Sequence, residues 1–223
     1  MMLALSRLPM LRLARTPRAW LAIGAWLSFA LIAAIALRLG DHEGATDRFL
    51  LDRYAPYAMP LLAMAIVSGA SGPEGIRTLV RSVMPFGARG TSTAFVTIGF
   101  CALGCAIVCA LAAALGVALD RGNGNDLVIS LWVGALGGAA YAAFFSFGST
   151  FGPKGSGRGI FLFMNWFAAN SGTAGSFLSP YAQIRSLFGG PRAGDLSQRA
   201  STGVLLGLFV VCTLLTAWRC RRR

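Results

Sequence analysis

From Ala19 to Leu37 the chain runs for nineteen residues without a charged side chain. A helix needs about 20 apolar residues to cross a hydrocarbon core about 30 Å thick, so this run alone directs the chain into a bilayer. Five more apolar runs follow: 55–70, which holds Pro60, then 93–119, 127–150, 159–178 and 203–218. The run 93–119 is long enough to tilt. The run 159–178 opens with Ile160-Phe161-Leu162-Phe163-Met164 and turns polar at Asn170-Ser171-Gly172-Thr173. The expected fold is all-α: six transmembrane helices over 19–218, preceded by a basic amphipathic segment, 1–18, and followed by a basic tail, 219–223. The runs are continuous, not alternating stretches of about 10 residues, which excludes a membrane barrel.

Composition agrees. Of 223 residues 56% are apolar and 13% charged, and the mean hydropathy is +0.65. A soluble domain carries about 25% charged residues, so a water-soluble enzyme is excluded. A chain this apolar is not disordered either.

The net charge of +12 suggests nucleic acid until it is mapped onto the loops. With six spans, one side holds Arg7, Arg12, Arg15, Arg18, Arg77, Arg81, Arg89, Lys154, Arg158, Arg219, Arg221, Arg222 and Arg223 against Glu74 alone. The other side holds seven arginines and seven acids. The whole excess lies on one face, which marks it as cytoplasmic, with both termini there. The basic balance is a topology signal, and nucleic acid is not an expected partner. One stretch departs from it: in 179–202, Arg185, Arg192 and Arg199 face only Asp195. An interfacial helix is expected to hold them.

At the N-terminus Leu3, Leu5, Leu8, Leu11 and Leu13 interleave with Arg7, Arg12 and Arg15. Such a helix lies on an anionic inner leaflet, so membrane lipid is an expected partner. Pro17 separates it from the first span. That span exceeds a secretory signal's apolar stretch and is expected to stay uncleaved. A single Lys beside abundant Gly, Ala and Arg points to a GC-rich bacterial genome and an inner (cytoplasmic) membrane.

Catalytic chemistry finds little support. His42 is the only histidine, so no multi-histidine metal site exists. Gly69-Ala70-Ser71-Gly72 has the GxSG form of an intramembrane serine protease. In the expected topology about 30 Å of hydrocarbon separates Ser71 from His42, and the string reads better as a helix end before Pro73. Cys101, Cys105 and Cys109 share one helical face. Thiolates suit Cu(I), but no Met or His shares the spacing, so the stripe is read as helix packing. Gly134 and Gly138 begin a matching stripe that continues through Ala142 and Ser146, and the two faces fit a tight hairpin. No span has an ionisable residue inside it, which argues against ion-coupled transport.

The loop 71–92 is the most informative. Pro73 and Glu74 suit a helix start. Ile76, Leu79, Val80 and Val83 fall on one face with Arg77 and Arg81 beside them, and Pro85 and Gly87 end the run. This is a short amphipathic helix suited to a soluble partner or to the membrane surface.

Here the chain resembles the permease subunits of type-2 ABC exporters. Glu74, Thr78, Leu79, Pro85 and Arg89 match, in order, the acid, Thr-Leu, Pro and basic residue of that family's coupling loop. Arg77 stands where the family has Gly, and the spacing from Thr to Pro is one residue shorter. The basic N-terminal segment resembles the family's connecting helix. The polar turn at 170–179 with Pro180-Tyr181 is similar to its broken fifth helix and outer re-entrant segment. The resemblance implies a half-size permease that pairs with an identical or second permease chain. Cytoplasmic ATPase subunits would bind ATP and Mg and contact Glu74, Arg77, Thr78, Leu79, Arg81 and Pro85. Gly152-Pro153-Lys154-Gly155-Ser156-Gly157 lacks the order of a phosphate-binding P-loop, so no cofactor is expected in this chain. Tyr141, Asn165 and Trp166 are candidates to line the pathway, and hydrogen bonding between helices is the plainer role for them. A path with few charges suits an amphiphile such as a lipid, glycolipid or hydrophobic drug. A non-transporting scaffold or assembly protein is the alternative, distinguished by its independence of an ATPase.

Overall fold

The computed structural model describes residues 2–40, 44–86, 89–119, 124–170 and 173–221, and every regular element among them is helical. Helix α1 (Met2–Arg15) and α2 (Pro17–Leu39) are separated by Thr16 alone. Pro17 takes the first position of α2, where its missing N–H is no loss. A single turn, α3 (Ala45–Arg48), leads through a π-helical stretch, Phe49–Ala58, into α4 (Met59–Ser71). Pro56 and Pro60 account for the wide turns: each removes an N–H from the ladder and presses on the carbonyl one turn back. The eight-residue α5 (Ile76–Val83) follows, closed by a 3₁₀ turn at Met84–Phe86. Then come α6 (Gly90–Leu119), α7 (Gly124–Gly148), α8 (Gly157–Asn170), α9 (Thr173–Ser176), α10 (Pro180–Leu187) and α11 (Gln198–Arg221).

Among the described residues five helical stretches are long and apolar enough to cross a membrane: Pro17–Leu39, Thr46–Val83, Gly90–Leu119, Gly124–Gly148 and Gln198–Arg221. The chain is a multi-pass membrane protein. On α6, Leu103, Ile107, Leu111 and Leu115 are exposed at a spacing of one turn, while Cys101, Cys105 and Cys109 are fully buried. An exposed apolar stripe of this length is a liability in water and the natural surface in lipid.

The expected fifth span, 159–178, does not form as one helix. Helix α8 has 14 residues, about 21 Å at 1.5 Å per residue, short of the ~30 Å needed. Beyond it the chain doubles back, and Ser179 Oγ donates to the Asn165 carbonyl at 2.8 Å. Nor does the stretch 179–202 carry a surface helix. Its helix, α10, buries Pro180, Ala182, Gln183, Ile184, Ser186 and Leu187. Ile184 meets α7 where a side chain is missing: a Cβ on Gly137 would lie 2.8 Å from Ile184 Cδ1.

Helices α6 and α7 form the expected hairpin. A Cβ on Gly134 would lie 2.8 Å from Ala110 Cα, and one on Gly138 2.5 Å from the Cys105 carbonyl oxygen. The two backbones therefore touch, which only glycine permits. At one end of the bundle Ala19 meets Gly69, Gly75 meets Ser149, and Gly90 meets the Cys220 carbonyl. The start of α2 and the end of α11 thus lie together at the end that carries α5, with Trp20 and Trp218 exposed there. Helix α1 lies at this end too, with Leu13 against Gly69 and Leu8 against Val83. At the opposite end Arg38 donates to the Leu119 carbonyl at 2.6 Å.

Candidate functional site

Two glycines shape the α5 end. Gly72 closes α4 at φ +81 and Gly75 opens α5 at φ +84, a left-handed region that glycine enters without strain. Gly75 also has no room for a side chain: a Cβ there would lie 2.6 Å from the Ser149 carbonyl oxygen and 3.3 Å from Gly155 Cα. The Gly-rich run 152–157 therefore serves close contact between two loops. Polar bonds lock the contact. Arg158 Nη2 donates to the Gly72 carbonyl at 2.8 Å and to that of Pro73 at 3.4 Å. Arg77 Nη1 donates to the Thr150 carbonyl at 3.3 Å. The Ile76 N–H donates to Ser149 Oγ at 3.4 Å.

The periodicity of α5 holds in three dimensions. Ile76, Leu79, Val80 and Val83 are buried, while Pro73, Glu74, Thr78, Arg81, Ser82 and Pro85 are exposed. Leu79 thus faces the bundle, because it shares the apolar stripe with Ile76 and Val83, and a soluble partner would not reach it. Arg77 is half-buried and divides its reach between the two loops. What remains bare is one acid, one cation, two hydroxyls and two prolines, with Met84 beside them. Arg158 carries a role that sequence reasoning missed. It is 6% exposed and ties the start of α8 to the loop that presents α5. A cation in the turn after an apolar span reads only as a topology charge.

The second polar cluster lies inside the bundle. Asn165 and Tyr141 are fully buried. Asn165 Nδ2 donates to Tyr141 Oη at 3.1 Å. Its Oδ1 accepts from Ser179 Oγ at 3.0 Å and from the Tyr181 N–H at 3.1 Å. Ser179 Oγ in turn caps α10, accepting from the Ala182 N–H at 3.3 Å. One amide therefore joins α7, α8 and the start of α10. Trp166, the next residue, sends its Nε1–H to the Pro56 carbonyl at 2.6 Å. Pro60, four residues on, has no N–H to offer that carbonyl, and the indole is a donor to it. The three pathway candidates are thus gathered at the break in the broken segment, with their polar atoms engaged within the chain.

Gly134, Gly138 and the cysteine stripe meet in the α6–α7 seam. Cys105 Sγ lies 3.8 Å from the Ala63 carbonyl and Cys109 Sγ 4.0 Å from that of Met59, so the stripe also faces α4. Tyr54 Oη donates to the Cys109 carbonyl. Ser71 is buried with its Oγ on the Val67 carbonyl at 2.6 Å, a helix-end role. His42 lies outside the described residues.

Fold and composition define an all-helical, multi-pass membrane protein. No protein-family model, curated protein or solved structure matches the chain.

Proposed function

We propose that this chain is the membrane-spanning permease subunit of an ATP-driven exporter of the type-2 ABC kind. The observation that carries this is α5: an eight-residue helix with its apolar face buried at one end of the bundle and a bare polar face of Glu74, Thr78, Arg81 and Pro85. A helix held this rigidly transmits a push. Through Gly75, Ser149 and Arg158, force on α5 reaches the ends of α4, α7 and α8 together. The charge asymmetry of the loops supports a cytoplasmic placement of this end, and the membrane of this reading is a bacterial inner membrane.

In this reading α8, α9 and α10 form a broken sixth crossing, which brings both chain ends to the α5 side. A separate ATPase binds ATP and Mg, and its closure on nucleotide moves α5. Helix α8 then shifts against α10 at the break that Asn165 holds, and two permease chains alternate between access states. The translocated molecule is an amphiphile, since the apolar runs of the sequence hold no Asp, Glu, Lys, Arg or His. Charged residues on the bare face set register and partner choice.

The test is tagged purification of the full chain in mild detergent, comparing wild type with Glu74→Ala/Arg81→Ala. The expected result is a nucleotide-hydrolysing protein retained by wild type and lost from the double variant, which melts as wild type does. A wild-type preparation without ATPase, under conditions that preserve weak complexes, would favour the scaffold reading.

A further inference from the structure

At the end of the bundle opposite α5, Arg185, Arg192 and Arg199 face a single acid, Asp195, between α10 and α11. Neither topology nor transport requires them. The end of α10 brings two of them together. The Gly190 N–H donates to the Arg185 carbonyl at 2.9 Å and the Gly189 N–H to that of Ser186 at 3.3 Å, with Gly189 at φ +88. This is the glycine-ended helix closure. It turns the chain back over α10, and Gly190 lies flat on the Arg185 side chain, where a Cβ would meet its Cγ at 2.9 Å. Pro191 then leads the loop into the turn Ala193–Asp195, which packs against α9 and α10.

The result is a cavity of about 270 Å³ bounded by Ala169, Tyr181, Arg185, Arg192, Gly194 and Asp195. Arg192 also borders a neighbouring cavity of about 510 Å³, together with Arg199. Arg185 Nε is buried without a hydrogen-bond partner. Neither Arg192 nor Asp195 has a side-chain hydrogen bond or ion pair with another described residue. A cation at the C-terminal turn of a helix is ordinary by itself. A second arginine, brought from a loop to the same cavity, is not explained by that.

We propose that this cavity binds the phosphate of a phospholipid headgroup, with Arg185 and Arg192 as its two guanidinium forks. The guanidinium fork matches phosphate oxygens in pairs. Asp195 sets the headgroup class. A carboxylate on the rim repels a purely anionic group and attracts an ammonium, so the set of two guanidiniums and one carboxylate complements a phosphoethanolamine zwitterion. Phe177 and Leu178 are exposed beside the cavity, with the Phe177 ring 3.3 Å from where a Gly194 side chain would start. They offer the acyl chains an apolar flank. The site is independent of the transport reading.

The experiment is calorimetric titration of the delipidated full chain in maltoside micelles with four probes. These are dihexanoylphosphatidylethanolamine, dihexanoylphosphatidylglycerol, dihexanoylglycerol and inorganic phosphate. Wild type is expected to bind the ethanolamine lipid at least tenfold tighter than the glycerol lipid without phosphate. Arg185→Gln/Arg192→Gln is expected to weaken it at least tenfold. Arg53→Gln, at the same end but outside the cavity, is expected to leave it unchanged. Asp195→Asn is expected to reduce the preference for ethanolamine over phosphatidylglycerol. Inorganic phosphate binding as tightly as the lipid, with the same arginine dependence, would support the phosphate site and identify a free anion as its ligand. If Arg185→Gln does not fold, the exposed Arg192→Gln alone carries the test. No arginine-dependent binding of any phosphate probe, or equal binding of dihexanoylglycerol, overturns the proposal.

Discussion

Asn165 is one amide that joins three stretches of chain, and its neighbour Trp166 joins a fourth. Asn165→Leu would leave Tyr141 Oη and the Tyr181 N–H without their partner, while Ser179 Oγ keeps its bond to the backbone carbonyl at 165. At about 1–3 kcal/mol for each buried group left unpaired, and with some relief from relaxation, the loss should be about 2–4 kcal/mol. A thermal melt of the full chain in micelles measures it, and an unchanged midpoint would show that the cluster does not hold the break. Trp166→Phe should cost about 1 kcal/mol through the bare Pro56 carbonyl. The same change should cost less in a Pro60→Ala background, where the helix regains its own donor; a double-mutant cycle reads the coupling. These pairings were not legible in the sequence, because Asn165 and Tyr141 are 24 positions apart and Trp166 and Pro56 are 110 apart. No local pattern connects them. The prolines at 56 and 60 were visible, but the bond from Trp166 to the Pro56 carbonyl becomes specific only once α8 lies beside it.

Elements whose signal is periodic were legible. The apolar face of α5 and the glycine seam of α6–α7 were both apparent from spacing, since each depends on which residues share one side of a helix. The seam gives a contrast between glycines. Gly138→Ala places a methyl 2.5 Å from the Cys105 carbonyl oxygen and should destabilise by about 1–3 kcal/mol through forced separation. A Cβ on Gly207 would meet nothing within 4 Å, so Gly207→Ala should be neutral or stabilise by up to about 1 kcal/mol through helix propensity. Comparable losses in both would mean the seam is loose. The break after α8 was less legible. The polar stretch from Asn170 hinted at an interruption, but the return of Ser179 to Asn165 depends on a bond between residues 14 positions apart. The burial of α10 was hidden by Gln183, Arg185 and Ser186, which resemble a surface helix until Gly137 is seen to admit Ile184.

At the scale of the molecule, composition and the apolar runs were sufficient for an all-helical membrane protein, because a bilayer leaves few alternatives. They were not sufficient for the path of the chain between α7 and α11. If α8, α9 and α10 make one broken crossing, Ser82 and Ser197 lie on opposite faces of the membrane. All five native cysteines are buried, so wild type should stay unlabelled by an impermeant maleimide, while Ser82→Cys and Ser197→Cys in sealed vesicles should label from opposite sides. Labelling from one side would rule out the crossing. In the proposed permease, α5 receives force from a soluble ATPase. The most direct measurement of this is photo-crosslinking in intact cells with a benzophenone side chain replacing Thr78, and in a second variant Ser197. The expected result is a covalent adduct between the Thr78 position and a nucleotide-hydrolysing protein, with none from the Ser197 position. A membrane-inserted Thr78 variant that forms no such adduct, or the same adduct from both positions, would contradict it.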